Sequence, residues 1–341
     1  MRRILLLVVL LGVGAVVFLL ESSFGPSYET FVEVAPGTSS RQIAREFEQQ
    51  GIIRTRYGFD LWRLMERLRA LGGVGGDAGG GTLKAGEYRF DHPARISEVY
   101  DRLRRGDVYT IAVTIPEGSN LFDIAARIEA AQLGAKEDFE RVAQQDTALV
   151  SDLDPHAASL EGYLFPDTYH FGRRTTANQM AAAMVRRFRA QAATVGLQGD
   201  VHRVVTMASL IERETPIEKE RPLVASVFSN RLTKDMPLMT DPSVIYAAML
   251  AGHYRGTIYQ SDLNSDSPYN TYKRTGLPPG PICNPGMASL NAAMNPARTN
   301  YLYFVAASAD PSGHSRFAAT LEEHQKNVLA YRRAEHQAGS R

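Results

Sequence analysis

The sequence predicts an α+β protein made of an N-terminal transmembrane helix, a small β/α region and a larger mixed α/β domain. Three observations support this class. An unbroken apolar run extends from Ile4 to Leu20. A pattern of strand, turn and helix then occurs twice, and a later amphipathic helix carries Glu214 on its apolar side. A chain of 341 residues is long enough for two domains or more.

The apolar run has the features of a single membrane-spanning anchor. As a helix it would span about 25 Å, the lower end of what crosses a hydrocarbon core. Arg2 and Arg3 precede it and favour a cytoplasmic N-terminus, so that the chain after Glu21 lies across the membrane. A cleaved signal peptide is the alternative. We favour an uncleaved anchor at residues 1–21 and a linker at 22–29, because no clear small-residue cleavage site follows.

Composition excludes several classes of partner and cofactor. The chain has 38 basic and 37 acidic side chains, so it lacks the electrostatic footprint of a nucleic-acid-binding protein. Its single cysteine, Cys283, cannot form an intramolecular disulfide. None of the eight histidines has a metal-ligand spacing. We therefore predict no nucleic-acid partner, no metal and no cofactor.

Residues 30–150 contain a repeated strand, turn and helix. Thr30 to Val34 alternates as a strand does, and a Pro/Gly turn then opens a helix with Thr38 or Ser39 as its cap. The pattern returns 81 positions later, with Gly118 and Ser119 in register with Gly37 and Thr38. The unit looks like half of a LysM-type βααβ module, a small fold that binds N-acetylated glycans. Such a unit is about as often a packing element, so we assign no sugar contacts to it.

Other elements follow from composition and periodicity. The glycine-rich residues 72–81 predict a flexible insert, because they have few apolar groups to offset the entropy of ordering. Lys84 to Phe90 predicts a strand. Ile96 to Leu103 predicts a helix whose apolar residues share one side, and Ala177 to Val195 predicts a long helix.

Glu214 is the candidate catalytic residue. Met207, Leu210, Ile211 and Glu214 recur at helical spacing and share one apolar face. Poor solvation there raises the pKa of a carboxyl, which suits a general acid working near neutral pH. The alternative, that Glu214 ends the helix at the surface before Pro216 with its charge solvated, is equally compatible with this segment. Neighbouring Glu212 lies on a more polar side and is the weaker candidate.

Eight motifs in order along the chain carry a family resemblance. They are Glu161-Gly-Tyr-Leu-Phe-Pro-Asp-Thr-Tyr169, Met207-Ala-Ser-Leu-Ile-Glu-Arg-Glu-Thr215, Val224-Ala-Ser-Val-Phe-Ser-Asn-Arg-Leu232, Thr240-Asp-Pro-Ser-Val-Ile-Tyr246, Tyr269-Asn-Thr-Tyr272, Gly276-Leu-Pro-Pro-Gly-Pro-Ile282 and Tyr301-Leu-Tyr-Phe-Val305, together with the LysM-like segment. With the N-terminal anchor, this set resembles the endolytic murein transglycosylases of the MltG/YceG type.

The resemblance implies a function and its location. In that family the second glutamate of Glu-x-Glu-Thr is the catalytic acid, which corresponds to Glu214. It implies a lytic transglycosylase of the inner membrane that cleaves the MurNAc-GlcNAc bond of nascent peptidoglycan and leaves 1,6-anhydroMurNAc ends. The catalytic domain, residues 151–335 before a tail at 336–341, would hold a glycan groove in the periplasm. Glycan strands and the synthases of the elongation machinery are the implied partners.

Five further residues are candidates for substrate binding, each with a structural alternative. Asn270 and Tyr272 would bind N-acetyl groups and stack on sugars, or form an Asx-type turn and a packed ring. Asp241 would orient the acid, or cap the helix of Ser243 to Met249. Glu161 and Tyr163 would line the groove, or belong to a buried aromatic segment with solvated ends.

Two other functions stay open from the sequence alone. A hydrolytic muramidase would need a second carboxyl, for which Asp241 is the attractive candidate. A non-catalytic wall-binding scaffold would use the LysM-like region and would not depend on Glu214.

Overall fold

The structure is a computed structural model that describes residues 1–71, 82–308, 310 and 313–339, with the backbone alone at residues 71 and 337–339. The predicted glycine-rich insert, residues 72–81, lies outside the described residues. The fold is a mixture of helices and strands, as the sequence predicts. It divides into two compact units, Met1–Ile111 and Ala112–Arg341. This division falls earlier than the boundary that we predict at residue 150.

The first unit contains four helices and one antiparallel strand pair in its described part. Its elements are α1 (Arg2–Glu21), β1 (Thr30–Val34), α2 (Ser40–Gln49), α3 (Arg56–Leu71), β2 (Gly86–Phe90) and α4 (Ile96–Arg105). Strand β1 pairs with β2 so that Val32 lies opposite Tyr88, and both side chains are buried. The order from β1 to β2 is strand, helix, helix, strand, which is the order of a βααβ module. The likeness to LysM proteins stays a prediction.

The predicted apolar face of α4 is confirmed. Ile96, Val99, Tyr100 and Leu103 are at most 5% exposed, and they form one core with residues of β1, β2, α2 and α3. Spacing of three and four residues places them on one side of the helix. Gly106 ends α4 in the left-handed conformation at φ 75°, which costs glycine little.

Helix α1 is long and apolar enough to cross a membrane. It has 20 residues, a mean hydropathy of 2.9 and side chains that are almost all exposed. A signal sequence has the same length and composition. Its last turn, however, packs into the first unit, because Leu20 is only 7% exposed and belongs to that core. The Arg54 guanidinium lies 5.1 Å from the ring centre of Phe18 and 4.9 Å from that of Phe24.

The second unit is mainly helical and carries two small strand pairs in its described part. Its elements are β3 (Ile111–Thr114), α5 (Leu121–Ala130), α6 (Lys136–Gln145), β4 (Thr168–Phe171), α7 (Ala177–Thr194), α8 (Val201–Glu214), α9 (Arg221–Thr233), α10 (Asp241–Leu250), α11 (Gln260–Leu263), α12 (Met287–Met294), β5 (Tyr303–Ala306), β6 (Ser315–Ala318) and α13 (Leu321–Gly339), with short 3-10 helices at Thr147–Leu149 and Glu218–Glu220. Strand β3 pairs with β4, and β5 is antiparallel to β6.

The sequence repeat is visible as two similar local structures. Gly37 and Gly118 both adopt positive φ, at 82° and 76°, between a strand and a helix. The Ser39 hydroxyl caps α2 by accepting from the Gln42 N–H, and Asn120 caps α5 in the same way. The turn needs glycine for its left-handed backbone, and the helix needs a polar cap for its free N–H groups.

Glu161 connects distant segments of the second unit. It is 1% exposed, and its carboxyl accepts from the Leu121 N–H and from the Asn284 side-chain amide, each at 2.9 Å. The same Asn284 accepts from the Leu164 N–H at 2.8 Å. Burial raises the pKa of Glu161 from its ordinary value of 4.5 to about 8, against the hydrogen bond from Leu121. The carboxyl thus joins the start of α5 to two loops.

We predict that Glu161→Ala destabilises the second unit. The Leu121 N–H and the Asn284 amide would lose a buried partner, which costs about 3 kcal/mol of unfolding free energy. Urea denaturation of the full chain, followed by circular dichroism, measures this. Because folding raises the pKa of Glu161, its contribution is present at low pH and declines as the pH rises from about 4.5 to about 8.

The pH dependence provides an internal check on that prediction. The difference in stability between wild type and Glu161→Ala should be larger near pH 5 than near pH 8. Glu137→Ala at an exposed position of α6 is the control, and it should change the unfolding free energy by less than about 0.5 kcal/mol. Equal stability of the two alanine variants would contradict a connecting role for Glu161.

Candidate active site

Helix α8 holds Glu214 in place. The Asp200 side chain caps its start by accepting from the Arg203 N–H at 3.0 Å. All seven residues from 205 to 211 are buried, so the middle of the helix is fixed in the core. The helix ends at Glu214, where Thr215 turns to extended backbone ahead of Pro216. The carboxyl is therefore presented from the last turn of a rigid helix.

Glu214 lies in the wall of an open cavity of about 450 Å³, which we call the Glu214 cavity. Its lining residues are Glu214 from α8, Phe228 and Arg231 from α9, Leu238 and Met239 from the following loop, Asp241 from α10, Tyr272 from the loop after α11, Tyr303 and Phe304 from β5, and Leu321 and His324 from α13. Most of these side chains are aromatic or aliphatic, and the polar ones converge from several elements. Such a lining is typical of a binding site for an uncharged organic molecule.

The environment of Glu214 favours its neutral form. Burial is the main cause that raises its pKa, from an ordinary 4.5 to about 7, and the charge of Asp241 raises it further. The positive charge of Arg231 opposes this rise. Glu214 is half-buried, so the carboxyl is poorly solvated by the protein yet still accessible from the cavity. A carboxyl that titrates near neutral pH can both donate and accept a proton there.

Arg231 is a fixed positive charge in the cavity wall. Its guanidinium donates to the Leu302 carbonyl at 2.7 Å and to the Leu238 carbonyl at 2.8 Å. It also lies 5.4 Å from the ring centre of Tyr303. Burial lowers the pKa of Arg231, and the nearby Glu214 raises it. These contacts hold the cation near Glu214.

Asp241 and Tyr272 form a hydrogen-bonded pair on the same cavity. The Tyr272 hydroxyl donates to Asp241 Oδ1 at 2.6 Å. Asp241 is the first residue of α10 and not its cap, a position that belongs to Thr240. An acidic side chain in the first turn is favourable to the helix dipole. The structure thus brings two predicted binding residues together beside Glu214, and leaves their role in substrate binding a prediction.

Glu212 is occupied by structural contacts. Its side chain is 4% exposed, and Oε1 accepts from Arg221 at 2.7 Å. The other oxygen accepts from the Gly286 N–H at 3.0 Å, at the start of α12. Burial raises the pKa of Glu212, whereas the bond from Gly286 and the charge of Arg221 lower it. Glu212 therefore joins α8 to α9 and α12, and it does not line the Glu214 cavity.

Asn270 is buried within the loop before Tyr272. It is 0% exposed, and its amide donates to the Leu263 carbonyl at 2.9 Å and the Ser265 carbonyl at 2.8 Å. Its oxygen accepts from the Tyr272 N–H at 3.1 Å, as in an Asx-type turn. All its polar atoms serve the loop before Tyr272, so the structural alternative describes it.

Glu161 and Tyr163 also lie away from the cavity. Glu161 is buried in the network described above, and Tyr163 is 0% exposed and donates to the buried Asp154. Neither lines the Glu214 cavity, because both are enclosed by the core of the second unit. The alternative of a buried aromatic segment fits Tyr163. The end of that segment at Glu161, however, is buried, whereas the alternative expected it to be solvated.

Arg231, Tyr303 and His324 are site residues that the sequence reasoning missed. Arg231 and Tyr303 stand inside motifs that carried the resemblance, without an assigned role. His324 stacks on Tyr303 with ring centres 5.1 Å apart. It follows the lining residue Leu321 by three positions on α13, and nothing in the sequence indicates that this helix reaches the cavity. Among the described residues, no group of three or more His, Cys, Asp or Glu is arranged to hold a metal ion.

Comparison with known proteins identifies the family. The profile of the YceG-like family matches residues 32–330. The endolytic murein transglycosylase of Bacillus subtilis (strain 168) is 35% identical over 320 residues, which cover 88% of this chain and 84% of that protein. The endolytic murein transglycosylase of Streptococcus pneumoniae (strain D39) is 29% identical over 332 residues, which cover 88% of this chain and 58% of that protein.

A solved structure agrees with these sequence comparisons. The crystal structure of a YceG-like protein from Listeria monocytogenes superposes with a TM-score of 0.54 at 33% identity, and covers 88% of this chain and 99% of that one. The resemblance predicted from the eight motifs is thus confirmed at the level of the whole chain. Because the family profile spans most of its length and a relative of 35% identity covers 88% of it, this chain belongs to the YceG-like family.

Proposed function

We propose that this chain is a membrane-anchored endolytic lytic transglycosylase that cleaves the MurNAc-GlcNAc bond within nascent peptidoglycan strands and so terminates their elongation. The relatives named endolytic murein transglycosylase support the reaction class. The observation that carries the proposal is Glu214, a carboxyl of raised pKa in an open cavity. Uncrosslinked or crosslinked glycan strands are the substrate.

A single carboxyl is sufficient for this chemistry. Glu214 donates its proton to the bridging oxygen, and the bond from C1 of MurNAc to that oxygen breaks. The C6 hydroxyl of the same sugar attacks C1 and forms the 1,6-anhydro ring, while its proton passes to Glu214 and restores the acid. The nucleophile belongs to the substrate, so the enzyme avoids the entropy of positioning a water. Glycosidases that use water need a second carboxyl.

The neighbouring charges serve the two halves of the reaction. Asp241 raises the pKa of Glu214 and keeps the acid protonated at the start. Its negative charge also stabilises the positive charge that develops on the sugar ring in the transition state. Arg231 lowers the pKa of Glu214 and stabilises the carboxylate that exists after proton donation. The opposing effects of these groups set a pKa suitable for both donation and acceptance.

The anchor is part of the same proposal. Leu20 is packed in the core of the first unit, and Phe24 forms an isolated antiparallel bridge with Ala94. Removal of α1 as a signal peptide would take Leu20 away from that core and expose apolar surface. We therefore infer a single-pass protein of the inner membrane, with both units in the periplasm near emerging glycan strands and the synthases of the elongation machinery.

We predict that α1 is retained in the mature protein. The protein, expressed in its native host, should stay in the membrane fraction after a carbonate wash. Its intact mass should be that of the full chain. Leu20→Asp should reduce the stability of the first unit, because it places a charge in its core. Release of a soluble protein lacking residues 1–21 would contradict the anchor.

We predict that Glu214→Gln abolishes formation of anhydromuropeptides while the fold and glycan binding persist. Glutamine keeps the size of the side chain and cannot donate the proton, so the rate should fall at least about 100-fold. Glu218→Gln, a change at an exposed glutamate four residues on, is the matched control and should retain activity. Mass spectrometry of digested strands supplies the measurement.

The same assay separates the alternative functions. A muramidase would leave a reducing end, which is heavier than an anhydro end by one water. A wall-binding scaffold would be unaffected by Glu214→Gln and would lose function when residues 28–145 are deleted. Substantial anhydro product from Glu214→Gln would refute the assignment of the acid.

We predict a pH dependence that reports the pKa of Glu214. Because the acid must start protonated, kcat/KM should fall as the pH rises through about 7. Asp241→Asn removes a charge that raises this pKa, so the alkaline limb of the profile should move to lower pH. Tyr272→Phe removes the hydroxyl that donates to Asp241 and leaves the charge of Asp241 in place. The alkaline limb of this variant should therefore not move to lower pH. A limb unchanged by Asp241→Asn would show that Asp241 does not act on the acid.

A further inference from the structure

His324 is a titratable group in the Glu214 cavity to which the mechanism above assigns no role. It lies on α13, lines the cavity together with Glu214, and stacks on Tyr303 with an angle of 19° between the rings. Its backbone N–H donates to the Thr320 carbonyl at 3.1 Å, so the first turn of α13 fixes its position. The imidazole is thus held in the wall of the cavity.

The two ring nitrogens of His324 have different surroundings. Nδ1 is buried and has no hydrogen-bond partner among the described residues. His324 as a whole is half-buried and lines the cavity, so Nε2 is the ring nitrogen left to meet a ligand there. A protonated imidazolium carries an N–H on both nitrogens, and the one at Nδ1 would be buried without an acceptor. This arrangement disfavours the charged ring.

The charges around the cavity act in the same direction. Burial is the first cause that lowers the pKa of His324, and the positive charge of Arg231 lowers it further. The other titratable groups on the cavity come from four segments: Glu214 of α8, Asp241 of α10, Tyr272 of the loop after α11, and Tyr303 of β5. With Glu214 neutral and Asp241 bonded to Tyr272, the ring faces no unpaired carboxylate at the start of the reaction.

A neutral imidazole carries its single proton on one nitrogen. A buried N–H without an acceptor is rare in folded proteins, and an under-satisfied acceptor is somewhat less so. The proton therefore belongs on Nε2, where water or a ligand supplies an acceptor. His324 then presents an N–H donor to the cavity and keeps its lone pair at the buried Nδ1.

We propose that His324 is a substrate-binding residue that donates a hydrogen bond from Nε2–H to an acceptor oxygen of the bound glycan strand. The proposal rests on the proposed function for the identity of the ligand. Hydroxyl and N-acetyl oxygens of a polysaccharide are acceptors of the required kind. In this role His324 takes no part in proton transfer, because a ring whose lone pair is buried cannot accept the proton of the C6 hydroxyl. Glu214 alone carries out that step.

Two substitutions separate the hydrogen bond from the ring. His324→Phe keeps a flat ring against Tyr303 and removes the donor. His324→Gln carries an amide N–H at about the position of Nε2. Loss of one neutral hydrogen bond should lower kcat/KM about 3- to 10-fold in His324→Phe. His324→Gln should stay within about twofold of the wild type. His92→Gln, at a histidine whose side chain is 70% exposed in the first unit, is the control and should match the wild type.

Binding in an inactive background separates this proposal from the proposed function. Soluble uncrosslinked peptidoglycan strands are titrated against the full chain bearing Glu214→Gln, with and without His324→Phe. The second change should weaken binding about 3- to 10-fold. Cleavage by Glu214→Gln alone would refute the catalytic assignment and leave this comparison valid. Equal binding by the two proteins would overturn the role of His324.

The tautomer can be observed directly. Full-length protein labelled with ¹⁵N-histidine, with the His324 signals assigned by their loss in His324→Gln, should show a neutral ring protonated at Nε2 at pH 7. Adding glycan strands to the Glu214→Gln variant should shift the Nε2 resonance. A ring protonated at Nδ1, or an imidazolium, would overturn the proposal, as would a loss of the alkaline limb of kcat/KM in His324→Phe.

Discussion

The site depends on placing one carboxyl where water solvates it poorly, at the end of a buried helix. Helix α8 is buried from residue 205 to 211, so its last residue, Glu214, has little freedom to move into bulk water. The carboxyl end of a helix also carries the negative pole of the helix dipole, which disfavours a carboxylate there. Burial and the charge of Asp241 raise the pKa of Glu214, and the charge of Arg231 opposes this rise. The pKa near 7 is the balance of these effects.

Three glutamates of the second unit show how hydrogen-bond partners determine the role of a carboxyl. Burial raises the pKa of Glu161, Glu212 and Glu214 alike. Glu161 accepts from Leu121 and Asn284, and Glu212 accepts from Arg221 and Gly286, so these two stabilise the fold. For Glu214, the described residues provide nearby charges and no hydrogen bond to the carboxyl oxygens. A buried carboxyl without a partner costs stability, and an accessible cavity beside it lets a substrate supply the partner.

Local patterns in the sequence predict the helices and the acid, whereas long-range contacts decide the rest of the site. The spacing of Met207, Leu210 and Ile211 with Glu214 is a property of one helix, so periodicity puts Glu214 in line with the apolar face and leaves the solvation of its carboxyl open. The role of Glu161 depends on partners from other segments, such as Asn284, which lies 123 positions after Glu161. Arg231 and His324 reach the cavity from α9 and α13. No pattern within one segment reports which distant elements meet.

The Glu-x-Glu spacing directs its two carboxyls to different surroundings. Residues two apart on a helix are separated by about 200° around its axis. Glu214 faces the cavity, and Glu212 therefore faces α9 and α12, where it accepts hydrogen bonds from Arg221 and Gly286. The first glutamate fixes the rotation of the helix through contacts with two neighbouring helices, and this rotation aims the second. A pair of glutamates at this spacing cannot approach one glycosidic bond from two sides, as the carboxyls of a hydrolytic glycosidase do. The geometry of α8 thus excludes Glu212 as a second catalytic carboxyl, which agrees with the proposed reaction in which the substrate provides the nucleophile.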